Sequence, residues 1–173
     1  MTEAGRCYTD SHDKRRRFPS VIIPGIYDEA ARSARDPFLA EWLQGAGVAD
    51  APPGPAQLFA LHELARAGSY AEPAQFNCDP LQAVSTTIAE GGDCDQWAMV
   101  LLAALAILGY EARLMTFGDE ADRFQHVCIA AKWDRRWHIL DPKGDPKGLD
   151  FNDHDGSYLI VEAWNPTRAY DRV

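Results

Sequence analysis

The sequence predicts an α+β fold in which a buried, cysteine-headed helix packs against a largely antiparallel β-sheet. Three observations carry that expectation. Helical periodicity with capping residues runs through the chain up to Gly109. Runs rich in β-branched and aromatic residues follow it. Between the two lies "CDQWAMVLLAALAIL", a stretch apolar on nearly every helical face, which is the pattern of a helix enclosed on all sides.

The elements follow in order. "GAGVADAPPGP" (Gly45 to Pro55) is rich in Gly, Pro and Ala and marks the expected boundary between an N-terminal arm, residues 1–50, and the main domain, residues 51–173. In the arm, "DPFLAEWLQG" reads as a short helix with Asp36 as N-cap, Pro37 at the first helical position and Gly45 beyond the end. Its Phe38, Leu39, Trp42 and Leu43 form an apolar stripe that should pack on something. "PAQLFALHELARAG" predicts a second helix with Leu58, Leu61 and Ala65 on one face. His62 lies on that helix and reads as surface or half-buried structure. In "DPLQAVSTTIAE", Asp79 caps, Pro80 starts, and Leu81, Val84 and Ile88 form the buried stripe. Next comes "EGGDCDQW", where Asp93 and Gln96 have capping-box spacing; Cys94 becomes the first helical residue and Gly109 the terminator. Four strands are expected after it: Glu111 to Phe117, Phe124 to Trp133, Arg136 to Leu140 and Ser157 to Trp164.

Composition narrows the function. The chain has 173 residues, 46% of them hydrophobic, enough for one domain with a real core. A formal net charge of −9 argues against a general nucleic-acid binder. The basic run "DKRRR" (Asp13 to Arg17) reads as a solvated arm, with a contact to an acidic surface as the alternative. No apolar stretch follows Met1 closely enough for a signal peptide, and the run from Trp97 to Leu108 is too short to span a bilayer. A cytoplasmic protein is therefore the expectation. Cys7, Cys78, Cys94 and Cys128 contain no C-x-x-C pair, so neither a zinc knuckle nor a disulfide framework is indicated.

Cys94 sits where a helix is chemically most useful. The first turn leaves N–H groups unpaired and carries the positive end of the helix dipole, which favours a thiolate. The preceding glycines permit a tight turn and close approach of another backbone. Position alone does not separate this from a small buried hydrophobe. A nucleophilic thiol needs a base, commonly His, oriented by Asp or Asn. If "KWDRRW" is a hairpin with Asp134 and Arg135 as its two-residue loop, Trp133 opposes Arg136 and Cys128 opposes Asp141. His126 shares a face with Cys128 by alternation, so His126 and Asp141 become diagonal neighbours about 7–8 Å apart at the backbone. A slip of one residue would put them on opposite faces.

These blocks, "GGDCDQWAMVLLAALAILGYEARLMTF" and "FQHVCIAAKWDRRWHILDPKGD", resemble the transglutaminase-like superfamily of papain-type cysteine enzymes, in its compact bacterial or phage-encoded form. The resemblance covers about Pro80 to Asp145: G-D-C at a helix start, H-V on a strand, and W-x-x-L-D-P ending the next. It implies a papain-like/transglutaminase-like core with Cys94 as nucleophile, His126 as base and later acid, and Asp141 as the orienting carboxylate. It further implies acyl transfer on amide or peptide bonds of a protein or peptide substrate without a cofactor, with hydrolysis favoured and cross-linking left open by the sequence. A metal site built from Cys94, His126 and Asp141 is the other use of these residues, and the thiol at the helix mouth favours nucleophilic chemistry over it. Gln96 stands where relatives often carry a second acid, and Cys128 lies beside the site. Cys128 reads as a small core residue, with a resolving thiol as the alternative. The Cys94 N–H is a natural oxyanion donor; Gln75 is a weak candidate for its companion.

The remaining candidates are structural. His138 alternates away from Asp141. Cys78 precedes a cap, and Cys7 lies in the arm. "FNDHDGSYLIVE" has Asp153, Asp155, Gly156 and Glu162 at calcium-loop spacing, but Phe151 at the first position cannot ligate through its side chain, so it reads as an acidic turn containing His154. Trp97 could line a cleft or fill the core. A non-catalytic adaptor that kept the fold, docking on a larger (for example virion) assembly through Phe38 and Trp42 of the arm, is the competing expectation.

Overall fold

A computed structural model describes residues 23–70, 82–120, 123–142 and 160–164 of the chain. The described elements are α1 (Ile23–Ser33), α2 (Pro37–Gly45), α3 (Pro55–Ala67), α4 (Val84–Glu90), α5 (Cys94–Ile107), β1 (Ala112–Glu120), β2 (Arg123–Trp133), β3 (Arg136–Leu140) and β4 (Ile160–Trp164). The class is α+β, as the sequence predicts. The four described strands form one antiparallel sheet in the order β3-β2-β1-β4.

The helices begin where local chemistry says they should. Asp36 accepts a hydrogen bond from the Phe38 N–H at 3.0 Å, with Pro37 in the first turn. In α5 both halves of the capping box form: Gln96 N–H donates to Asp93 Oδ1 at 3.4 Å, and Asp93 N–H donates to Gln96 Oε1 at 3.1 Å. At the other end Gly109 takes φ +80, and the Tyr110 N–H returns to the Leu105 carbonyl at 2.9 Å, a Schellman closure.

Helix α1 was not anticipated from sequence. Ile23, Ile26, Tyr27 and Ala30 are buried at i, i+3, i+4 and i+7, an amphipathic stripe interrupted in the sequence by Pro24 and Gly25. Proline is tolerated there because first-turn N–H groups lack helical partners anyway. Helix α4 is shorter than expected. It begins at Val84, and Gln82 and Ala83 are not helical. Ala83 is extended, and the Gln82 amide reaches forward to Thr87 Oγ1, the Gly91 carbonyl and Gln96 Oε1 at 3.1, 2.7 and 3.1 Å. Asp79, Pro80 and Leu81 lie outside the described residues.

Every residue from Asp95 to Leu105 is buried, so α5 is the central post of the molecule. Helices α1 to α4 and strands β1 and β2 all pack on it. One sheet face, through Leu114, Val127, Ile129, Ala131 and Leu140, joins the α5 core. The opposite face carries a second buried cluster, Met115, Phe117, Cys128, Ala130 and Ile139. Residues of the expected arm join the first core: Ile23, Ile26, Leu39 and Leu43 are fully enclosed within it. Of the arm helix's stripe, Leu39 and Leu43 are buried, Trp42 is half-buried and Phe38 is exposed.

Candidate active site

The β2–β3 hairpin sets the register on which the site depends. Asp134 and Arg135 both adopt positive φ, 46° and 64°, as a two-residue turn of type I′ demands. Pairing then runs Trp133↔Arg136, Lys132↔Trp137, Ala131↔His138, Ala130↔Ile139 and Ile129↔Leu140. The next pair along this ladder would be Cys128 opposite Asp141, with His126 diagonal to Asp141 on the same face. The side chains close that diagonal: His126 Nε2 lies 2.7 Å from Asp141 Oδ2. Both are largely withdrawn from water, at 9% and 13% side-chain exposure, so the contact is poorly screened. The Phe117 ring packs near the His126 imidazole, with centroids 6.0 Å apart and the planes tilted by 35°.

An ionised Asp141 can only accept, so His126 donates its Nε2–H to it. That assignment leaves the Nδ1 lone pair as the basic nitrogen. Cys94 is half-buried at the first position of α5, where the capping box and the Gln82 amide brace the turn. Cys128 is fully enclosed. Burial pushes its thiol well up from the ordinary range, and the charges of Asp141 and Cys94 add to that rise. Both groups are therefore near enough to Cys128 to act on its thiol. A protonated, enclosed thiol is a poor nucleophile.

Two residues with a bearing on this region were not singled out for it in the sequence. Gln82 links the Gly91 carbonyl to the capping Gln96, and its position ahead of a cap gives no local clue to that reach. His62 is buried rather than at the surface, and its Nε2 lies 2.8 Å from the Asp141 backbone carbonyl. Its place on the apolar face of α3, one residue after Leu61, was the available signal.

Trp97 belongs to the core: it is enclosed, and its indole N–H donates to the Ser69 carbonyl at 3.2 Å. His138 lies on the sheet face away from Asp141, as alternation requires. Cys7, Gln75, Cys78 and the acidic turn from 151 to 159 lie outside the described residues. Among the described residues, no group of three His, Cys, Asp or Glu is arranged to hold a metal ion, and no helix is long and apolar enough to cross a membrane.

No family model and no curated protein matches the chain. Similar solved structures exist. Legionella pneumophila LapG in calcium-bound form aligns with a TM-score of 0.57 and 17% identity over 83% of each chain. A candidate protease of Parabacteroides distasonis aligns with a TM-score of 0.54 and 10% identity over 71% of this chain and 26% of that one. A candidate cysteine protease of Cytophaga hutchinsonii gives 0.49 and 18% over 75% of this chain and 48% of that one. The chain therefore spans about a quarter and about half the length of these last two proteins. At such identities the likeness is one of fold alone, a papain-like/transglutaminase-like core.

Proposed function

We propose that this protein is a thiol-dependent hydrolase of amide or peptide bonds, with Cys94 as nucleophile, His126 as general base and acid, and Asp141 as the orienting carboxylate. The 2.7 Å contact between His126 Nε2 and Asp141 Oδ2 is the observation that carries this reading. A buried imidazole with a carboxylate on one nitrogen has its tautomer set and its ring orientation held, which is what a general base in such a triad requires.

In this reading Nδ1 takes the Cys94 proton and the thiolate attacks the substrate carbonyl carbon. The carbonyl electron pair moves to oxygen, where the Cys94 backbone N–H at the helix start would donate. Collapse expels the amine, which takes the proton from Nδ1, and leaves a thioester. Water then loses a proton to Nδ1 and attacks the thioester; the thiolate leaves and is reprotonated, and the acid product departs. A second amine in place of water would give cross-linking instead. Hydrolysis is preferred because a structure of similar fold is named as a protease.

The test is alkylation by iodoacetamide across pH, with the modified cysteines identified by mass spectrometry. Cys94 should react well below the pH at which Cys7 does, and His126→Ala should erase the difference. Peptide hydrolysis should fall by roughly a hundredfold or more in the same variant. Equal reactivity of Cys94 and Cys7 would instead favour a non-catalytic protein on a protease-like fold. Amine release from a peptide library, with and without an added amine acceptor, separates hydrolysis from transfer.

A further inference from the structure

We propose that His62 is a positioning residue for the His126–Asp141 pair, acting through the Asp141 main chain; this rests on the reading of that pair as catalytic. The pairing of β3 with β2 ends at Ile129↔Leu140, so Asp141 stands one residue past the last rung. Its carbonyl is held instead from α3, where His62 Nε2 approaches to 2.8 Å. A carbonyl only accepts, so His62 must carry its proton on Nε2. The other ring nitrogen, Nδ1, lies 3.3 Å from Glu63 Oε1, and that oxygen lies 3.6 Å from Arg66 Nη1.

His62 is 3% exposed among Leu58, Leu61 and Ala65, positions where an aliphatic side chain would fill the space without desolvating a polar ring. What the imidazole adds is a rigid donor at the right reach. Rotation of the Asp141 peptide would swing its carboxylate away from His126, and the His62 bond opposes that rotation. Asp141 is thereby gripped twice, at the carbonyl by His62 and at Oδ2 by His126. No proton passes along this route; its effect is orientation. Outer partners that aim a reacting group are typically worth about tenfold to a hundredfold when removed.

The experiment has two parts. In the unmodified protein, nitrogen-15 shifts of His62 should show a protonated Nε2; a bare Nε2 with the proton on Nδ1 overturns the proposal. Then His62→Gln and His62→Asn are compared. Glutamine places an amide N–H near the Nε2 position, whereas asparagine is one methylene too short to reach the carbonyl. His62→Gln should retain the downfield Nε2–H proton signal of His126 and the Cys94 alkylation profile. His62→Asn should lose the signal and slow alkylation about tenfold. A role in burial alone would penalise both variants alike, so matching behaviour of the two folded variants overturns the proposal. If His62→Asn fails to fold, loss of the His126 signal in folded His62→Gln overturns it just as well. The His126 signal reads the bond to Asp141 whether or not Cys94 is a nucleophile. Ordinary Cys94 reactivity in the unmodified protein would therefore sink the enzymatic reading while leaving this one tested.

Discussion

A Cβ placed on Gly68 would collide with the edge of the Trp97 ring, because the end of α3 lies against the indole. The need here is space: Gly68 has an ordinary φ of −70°, so no backbone strain is involved. Gly68→Ala should cost about 1–3 kcal/mol through overpacking, read as a lowered midpoint in urea. Cys128 makes a different kind of prediction. Its folded thiol titrates above the ordinary range, so between the two values the folded chain holds a proton that the unfolded chain has lost. Stability is therefore full below the ordinary thiol value and falls as pH rises past about 9, by up to about 1.4 kcal/mol per pH unit, levelling off once the folded thiol ionises. Urea melts across that range should show the decline, and Cys128→Ala should flatten it. A Cys128→Ala variant with an unchanged slope would contradict the burial argument.

At the scale of elements, the hairpin is the decisive piece. The two-residue loop between Trp133 and Arg136 was legible because its length alone sets which residues oppose each other, and the observed register agrees with it pair by pair. Arg135 is poorly suited to the second loop position, since it occupies left-handed backbone where glycine is preferred. Replacing Asp134 and Arg135 with Asn-Gly should raise stability by about 1 kcal/mol and leave Cys94 alkylation unchanged. Lengthening the loop by one residue should abolish the alkylation enhancement, since a slip of that size sends His126 and Asp141 to opposite faces. Circular dichroism melts alongside the alkylation assay check both. The capping box of α5 was legible for the same reason: Asp93 and Gln96 are three residues apart, and the contact needs nothing distant. The start of α4 was misread because Gln82 is drawn out of the helix by Gly91 and Gln96, partners that a local pattern does not contain.

For the whole molecule, the enclosure of α5 dictates how the fold opens. Its residues Met99 to Leu105 are shielded by four helices and two strands, so their amides should exchange with deuterium only through global unfolding. Among the described residues strand β4 lies at an edge of the four-stranded order, and it should exchange faster than β2, which has a neighbour on each side. Mass spectrometry of exchanged peptides reads both; faster exchange in α5 than in β4 would mean the core is organised otherwise. Because Cys94 heads this helix, its placement should survive until the fold itself gives way.

The division between what was readable in the letters and what was not follows the range of the forces. Periodicity, caps and a two-residue turn act between residues a few positions apart, so the α+β class, the cysteine at the mouth of a buried helix and the pairing of His126 with Asp141 were all written locally. The burial of α1, the reach of Gln82 and the grip of His62 on Asp141, residues 79 apart in the chain, were decided only when surfaces met. Helix α1 and His62 carry an apolar stripe and a polar ring whose partners lie on other elements, and no local pattern says which surface will arrive to cover a stripe or which carbonyl will meet a ring.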